Sequence, residues 1–176
     1  MNRFVLLPLV FATFTAVAGP KKPPPAPPLQ GKATQVIDGA TFQMLASDGR
    51  SLTVRLAGIE PPELCQTWGA ESRDALQSWL KDQPLQLKTE GPVLDGRVQA
   101  HVFVDGADIN IRMVEEGHAL SVRGRSDHGP YVKQERVAQA LRRGMFSAGP
   151  VETPAAFRRS HGPCQRAATQ AAATSP

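Results

Sequence analysis

Arg55, Glu60 and Glu63 are the residues whose types and spacing could do chemistry together. They belong to the run VRLAGIEPPE, Val54 to Glu63, in which Val54, Leu56 and Gly58 alternate with Arg55, Ala57 and Ile59, the period of a central strand. Pro61 and Pro62 have no amide hydrogen and a fixed φ, so they stop the ladder and leave Glu60 and Glu63 on a stiff turn at the strand's exit. One permanently charged fork and two carboxylates converging on a barrel mouth suit the holding of a phosphate between cation, metal and base. The same trio also fits an ion pair that pins a strand to its loop, and spacing alone leaves both readings open.

The elements that must position this rim are legible on either side of it. Lys32 to Ile37 and Thr41 to Ala46 alternate and are separated by the turn pair Asp38-Gly39; a second pair, Asp48-Gly49, leads into the strand Leu52 to Ile59, so three strands form a meander. Glu71 to Lys81 places Ala75, Leu76, Trp79 and Leu80 on one helical face, with Trp68 and Trp79 read as core. Leu85 to Thr89 and Val98 to Val104 are two further strands around a loop containing Asp95-Gly96-Arg97. A short amphipathic helix carries Ile109, Met113 and Val114 and closes at Gly117, and a last helix runs from Pro130 to Gly144. Five strands, with one helix after the third and two at the end, predict an α+β protein built on a small closed barrel rather than a sandwich.

The ends and the charges bound the partners. Met1 to Ala18 has Arg3, an apolar run and a small-residue cleavage site, the pattern of a secretory signal peptide. GPKKPPPAPPLQ follows as an extended linker, and RAATQAAATSP at the other end has no large apolar residue to fold around. In an exported chain, periplasmic or secreted, Cys65 and Cys164 are expected to form a disulfide, two free thiols being the alternative. From Gln30 to Ile111 there are 7 basic and 11 acidic residues, and from Arg112 onward 10 basic and 5 acidic. A basic surface feeding an acidic region fits a polyanion partner with a cation at the carboxylates, and equally a solubilising pattern. No glycine-rich nucleotide loop follows a strand, no serine-histidine-acid arrangement can be argued, and His101, His118, His128 and His161 lack zinc spacing.

The ordered series VIDGAT, VRLAGIEPPE, GAES, DGR, DGADINIRMVEEGHA and ERVAQALRRGMF, from about Ala33 to Met145, resembles the thermonuclease family of staphylococcal-nuclease-like domains. The resemblance implies a five-stranded OB-fold barrel with three α-helices that hydrolyses DNA or RNA phosphodiesters with a calcium ion. Together with the reading of the ends, this divides the chain into a signal peptide (1–18), a proline-rich linker (19–31), the nuclease-like domain (32–146), an extension tied back by Cys164 (147–166) and a disordered tail (167–176). On the matching positions Arg55 and Arg97 would clamp the phosphate, and Glu63 would orient or deprotonate the attacking water. Glu60 stands where the family has an aspartate that binds the metal. Ala40 replaces the second aspartate of the family's DGDT motif, a direct calcium ligand, which leaves Asp38 as the nearby carboxylate and magnesium or manganese as other candidate ions.

Asp95 occupies a position where the family often has tyrosine, and Arg123 and Arg125 lie where it supplies aromatic rings, so phosphate attraction or arginine stacking would replace base stacking. His118 falls near the site side in the family's arrangement and is a candidate base. Arg142-Arg143 and Arg158-Arg159 are doublets suited to phosphate contacts. Two functions follow: an exported nuclease of low sequence specificity, or an inactive nuclease-like domain that binds nucleic acid or other polyanions.

Overall fold

Alternation of apolar and polar residues builds five strands long enough to close on themselves. The computed structural model describes residues 28–124, 129–162 and 164. In chain order the strands of the barrel are β1 (Leu29–Asp38), β2 (Thr41–Ala46) and β3 (Ser51–Leu56), then, beyond the two-residue strand β4 (Ile59–Glu60) and helix α1 (Gly69–Leu80), β5 (Leu85–Thr89) and β6 (Arg97–Val104). β1 lies between β2 and β5, all antiparallel, and a parallel pairing of β3 with β6 closes the ring. A ten-residue strand can serve two neighbours only if it bends. Register shifts between Ala33 and Gln35 and between Val36 and Asp38 supply the bend. Gly31 sits at the crossing, where a Cβ would lie 2.3 Å from the carbonyl oxygen of Leu45.

The core fills the barrel and extends beneath α1 and the helix α2 (Ile109–Glu115), which follows the short strand β7 (Ala107–Asp108). Phe42, Met44, Val54, Leu56, Leu76, Leu80 and Met113 are among its buried members. On α1 the inward stripe is Ser72, Leu76 and Leu80, spaced by four residues, with Trp79 half-buried at its side under the guanidinium of Arg112. A smaller cluster of Leu120, Ala138, Met145 and Phe146 packs the strand β8 (Leu120–Ser121) and helix α3 (Val132–Ala140) against the turn that follows.

Three expectations change. β1 reaches back to Leu29, whose pairing with Leu87 brings 29–31 into the sheet rather than the linker. The third strand stops at Leu56 instead of Ile59: Gly58 adopts φ +71°, a conformation open to glycine, and turns the chain so that Ile59 and Glu60 pair with Ser121 and Leu120. To the three helices anticipated a fourth is added, α4 (Pro154–His161), capped by Thr153, whose hydroxyl accepts from the amide of Ala156.

Asn110 ties the helical layer to the barrel. Wholly buried, it accepts from the Val102 amide at 3.0 Å and donates to the carbonyls of Ala57 at 2.9 Å and Ala100 at 3.1 Å. Asn110→Ala removes the side-chain partner of the Val102 amide and the Ala57 carbonyl, while the Ala100 carbonyl keeps the Ala57 amide, and about 3 kcal/mol of stability is expected to be lost. Urea titration should show this as a lower midpoint at unchanged slope.

Candidate active site

Arg55 faces outward because Leu52, Val54 and Leu56 take the inward positions of β3. Its register partners are Thr41 on β2 and Gln99 on β6, and Thr53, one outward position earlier, is opposite Arg97. Arg97 opens β6 directly after the turn Asp95-Gly96, whose φ values of +48° and +70° suit the two residue types present. The outward side chains therefore share a groove. Thr41, Gln43, Thr53, Arg55 and Arg97 line a recess of about 660 Å³, and the Arg55 guanidinium donates to the Thr41 hydroxyl at 3.3 Å.

A second recess of about 260 Å³ adjoins the first and shares Ile37, Asp38 and Arg55 with it. Glu60, Glu63 and Arg158 line its other side. Both glutamates are held: Arg158 Nη2 donates to Glu60 Oε1 and Nη1 donates to Glu63 Oε1, each at 2.6 Å. Arg158 reaches them from α4. Glu63 is fixed further through Gln66, whose Oε1 accepts from the Glu63 amide at 3.1 Å while its Nε2 donates to the Glu152 carbonyl at 2.7 Å. Cys65, two residues beyond Glu63, is bonded to Cys164, as the oxidised reading of the sequence anticipated.

The sequence profile of the staphylococcal nuclease homologues matches residues 53–148. The chain belongs to this family. It is 26% identical to an uncharacterized endonuclease of Haemophilus influenzae over 159 residues, 90% of this chain and 87% of the relative. With a micrococcal nuclease of Shigella flexneri it shares 27% identity over 142 residues, 74% of this chain and 81% of that one. A probable staphylococcal-like nuclease of rice, CAN3, is 28% identical over 110 residues; these are 62% of this chain but only 29% of the rice protein.

The divalent ion implied by the family resemblance can be tested against the donors present. Ala40 is buried and offers no ligand; the Asp38 carboxylate turns back to accept from the Ala40 amide at 2.8 Å; and one oxygen each of Glu60 and Glu63 is taken by Arg158. Calcium needs six to eight oxygens. Among the described residues no group of three or more His, Cys, Asp or Glu side chains is placed to hold a metal ion. The donor set as folded does not fit calcium; it fits a guanidinium.

The remaining candidates separate from the groove. Arg123 pairs with Glu135, a carboxylate buried to 2% exposure that also accepts from the Ser121 amide, so this arginine lines a different recess with Gln139 and Arg142. Arg125 and His128 lie outside the described residues. His118 sits between Trp68 and Trp79, with Trp68 Nε1 donating to its Nδ1 at 3.2 Å, and it lines neither part of the groove. Burial, only partly opposed by Glu116, pushes its pKa down. The fold thus favours the neutral ring, a gain complete above the ordinary value of about 6.5 and lost as pH falls through the lower folded value. Acidification from pH 7 to 5 should lower the urea midpoint, and His118→Gln should flatten that dependence.

Arg158 was legible only as half of a basic doublet. Its contact with the site could have been anticipated from one signal, its place six residues before a cysteine whose partner lies two residues after Glu63.

Proposed function

We propose that the protein is an exported nuclease that hydrolyses phosphodiester bonds of single-stranded or loosely structured DNA or RNA with low sequence preference. The observation that carries this reading is the position of Arg55, on the wall common to a polar groove containing Arg97 and a recess containing Glu60 and Glu63. A strand lying along the outer face of β2, β3 and β6 would place a phosphate between the two arginines. Their planar forks would hold its non-bridging oxygens and stabilise the charge that grows there in the transition state.

Glu63, with Oε1 held by Arg158, keeps Oε2 to take a proton from water. The water oxygen bonds to phosphorus, the phosphorus–oxygen ester bond on the opposite side breaks, and the departing oxygen gains a proton from solvent. The contacts assigned to Arg55 and Arg97 are to phosphate oxygens, which carry no sequence information, and this supports low sequence preference. Family membership and relatives named as nucleases support the reaction class. The signal-like start and the Cys65–Cys164 disulfide support export to a periplasm or beyond the cell.

Labelled single-stranded DNA and RNA, incubated with the disulfide-bonded chain in calcium, magnesium, manganese and chelator, test the proposal. Shortened strands are the expected result. Strands that stay bound and intact in every condition would leave a binding module in place of an enzyme.

A further inference from the structure

α4 is held against the site by links other than the core. Of its eight residues only Pro154 is buried. It is fixed instead by the Gln66 side chain on the Glu152 carbonyl, by the disulfide with its Cα atoms 5.5 Å apart, by the Cys65 amide on Cys164 Sγ at 2.9 Å, and by Arg158 itself. The side chain that holds the backbone of Glu63, Gln66, also anchors the segment leading into α4. Position of the carboxylates and position of the arginine are thus set by one structure.

We infer that Arg158 is the resident cation of the site, holding Glu60 and Glu63 with one N–H each and presenting its remaining N–H groups to a phosphate of the bound strand. This deepens the reading above and rests on it, since it supposes a nucleic-acid strand in the groove. Three observations carry it. A guanidinium has five N–H donors, and two are used here. Its side chain is 42% exposed against 25% for Glu60 and 23% for Glu63, so more of it than of either carboxylate is open to solvent at the recess it lines.

Charge supplies the third. Asp38, Glu60 and Glu63 with Arg55 alone would meet a phosphodiester with three carboxylates against one guanidinium, and Arg158 supplies the second guanidinium that lowers this repulsion. Glu63 and then Glu60 push the pKa of Arg158 up, which keeps it charged throughout. With Ala40 at the lost ligand position, a covalently tethered guanidinium stands where the family resemblance places a divalent ion. An arginine that merely blocks the carboxylates would have the opposite consequence, because its removal would favour binding.

The test is fluorescence anisotropy of a labelled phosphorothioate dodecathymidylate, at low salt with chelator present, so that binding is read apart from cleavage. Arg158→Ala is expected to weaken binding about tenfold or more, the loss of a charge-assisted contact. Arg159→Ala removes the same charge from the same helix and is expected to change binding much less, and Arg158→Lys should fall between. Paired replacement of Cys65 and Cys164 by serine should weaken binding as Arg158→Ala does, and the alanine should add nothing in that background. Equal or tighter binding by Arg158→Ala, or an equal loss in Arg159→Ala, would overturn the inference. Failure of the nuclease reading is seen separately: a chain that binds through Arg158 and cuts no ordinary strand leaves this inference standing and removes that one.

Discussion

Arg55→Ala is expected to slow phosphodiester cleavage by about two to three orders of magnitude, the cost of one donor aimed at a developing oxyanion. The fold should be unaffected. Arg55 is exposed, it faces away from the core, and its side-chain bond to Thr41, at 3.3 Å, is long. Stability should therefore change by no more than about 0.5 kcal/mol, within the range of ordinary surface substitutions. Arg55→Lys restores the charge but not the fork, so it should recover binding more than rate. Single-turnover cleavage beside urea titration of each variant checks both halves of this expectation. A rate unchanged in Arg55→Ala would remove the residue from the mechanism.

Glu63→Gln is the second large effect. The substitution keeps the shape and leaves an oxygen for Arg158, but it cannot accept the water's proton. Loss of a positioned base costs about two to four orders of magnitude in rate. Binding of a non-cleavable strand should be unchanged or slightly tighter, because a negative charge beside the phosphate is gone. That split separates a base from a residue that only positions α4. If Glu63 served only to hold Arg158, the oxygen kept in Glu63→Gln would still hold it, and the cleavage rate would stay within about tenfold of the unsubstituted chain.

Much of this arrangement was legible in the sequence because local chemistry and global topology agree there. The pairs Asp38-Gly39, Asp48-Gly49 and Asp95-Gly96 are at turns, and Gly49 and Gly96 have the positive φ such turns require. Alternation placed Arg55 on the outer face of a strand and Glu60 and Glu63 beyond it. Alternation also misled: V-R-L-A-G-I-E continues its period past the end of β3, and only the positive φ of Gly58 and the distant partner Ser121 break it. Local patterns cannot report such a partner.

The same limit applies at the recess. Arg158 meets Glu63 across 95 positions and Glu60 across 98, so its doublet reads only as a pair suited to phosphate contacts until the chain is closed. Arg123 is the converse case. Its basic character suggested phosphate, and Glu135, twelve residues on, is buried and needs a cation, a structural role for this arginine that its basic character alone does not announce.

The most direct measurement of the central claim is hydrolysis of single-stranded DNA in water enriched with oxygen-18, with the products analysed by mass spectrometry. The account expects fragments whose new terminal phosphate carries one heavy oxygen per cut, at a rate lowered in Arg55→Ala and Glu63→Gln. Intact strands across calcium, magnesium, manganese and chelator, or fragments without the heavy oxygen, would contradict it.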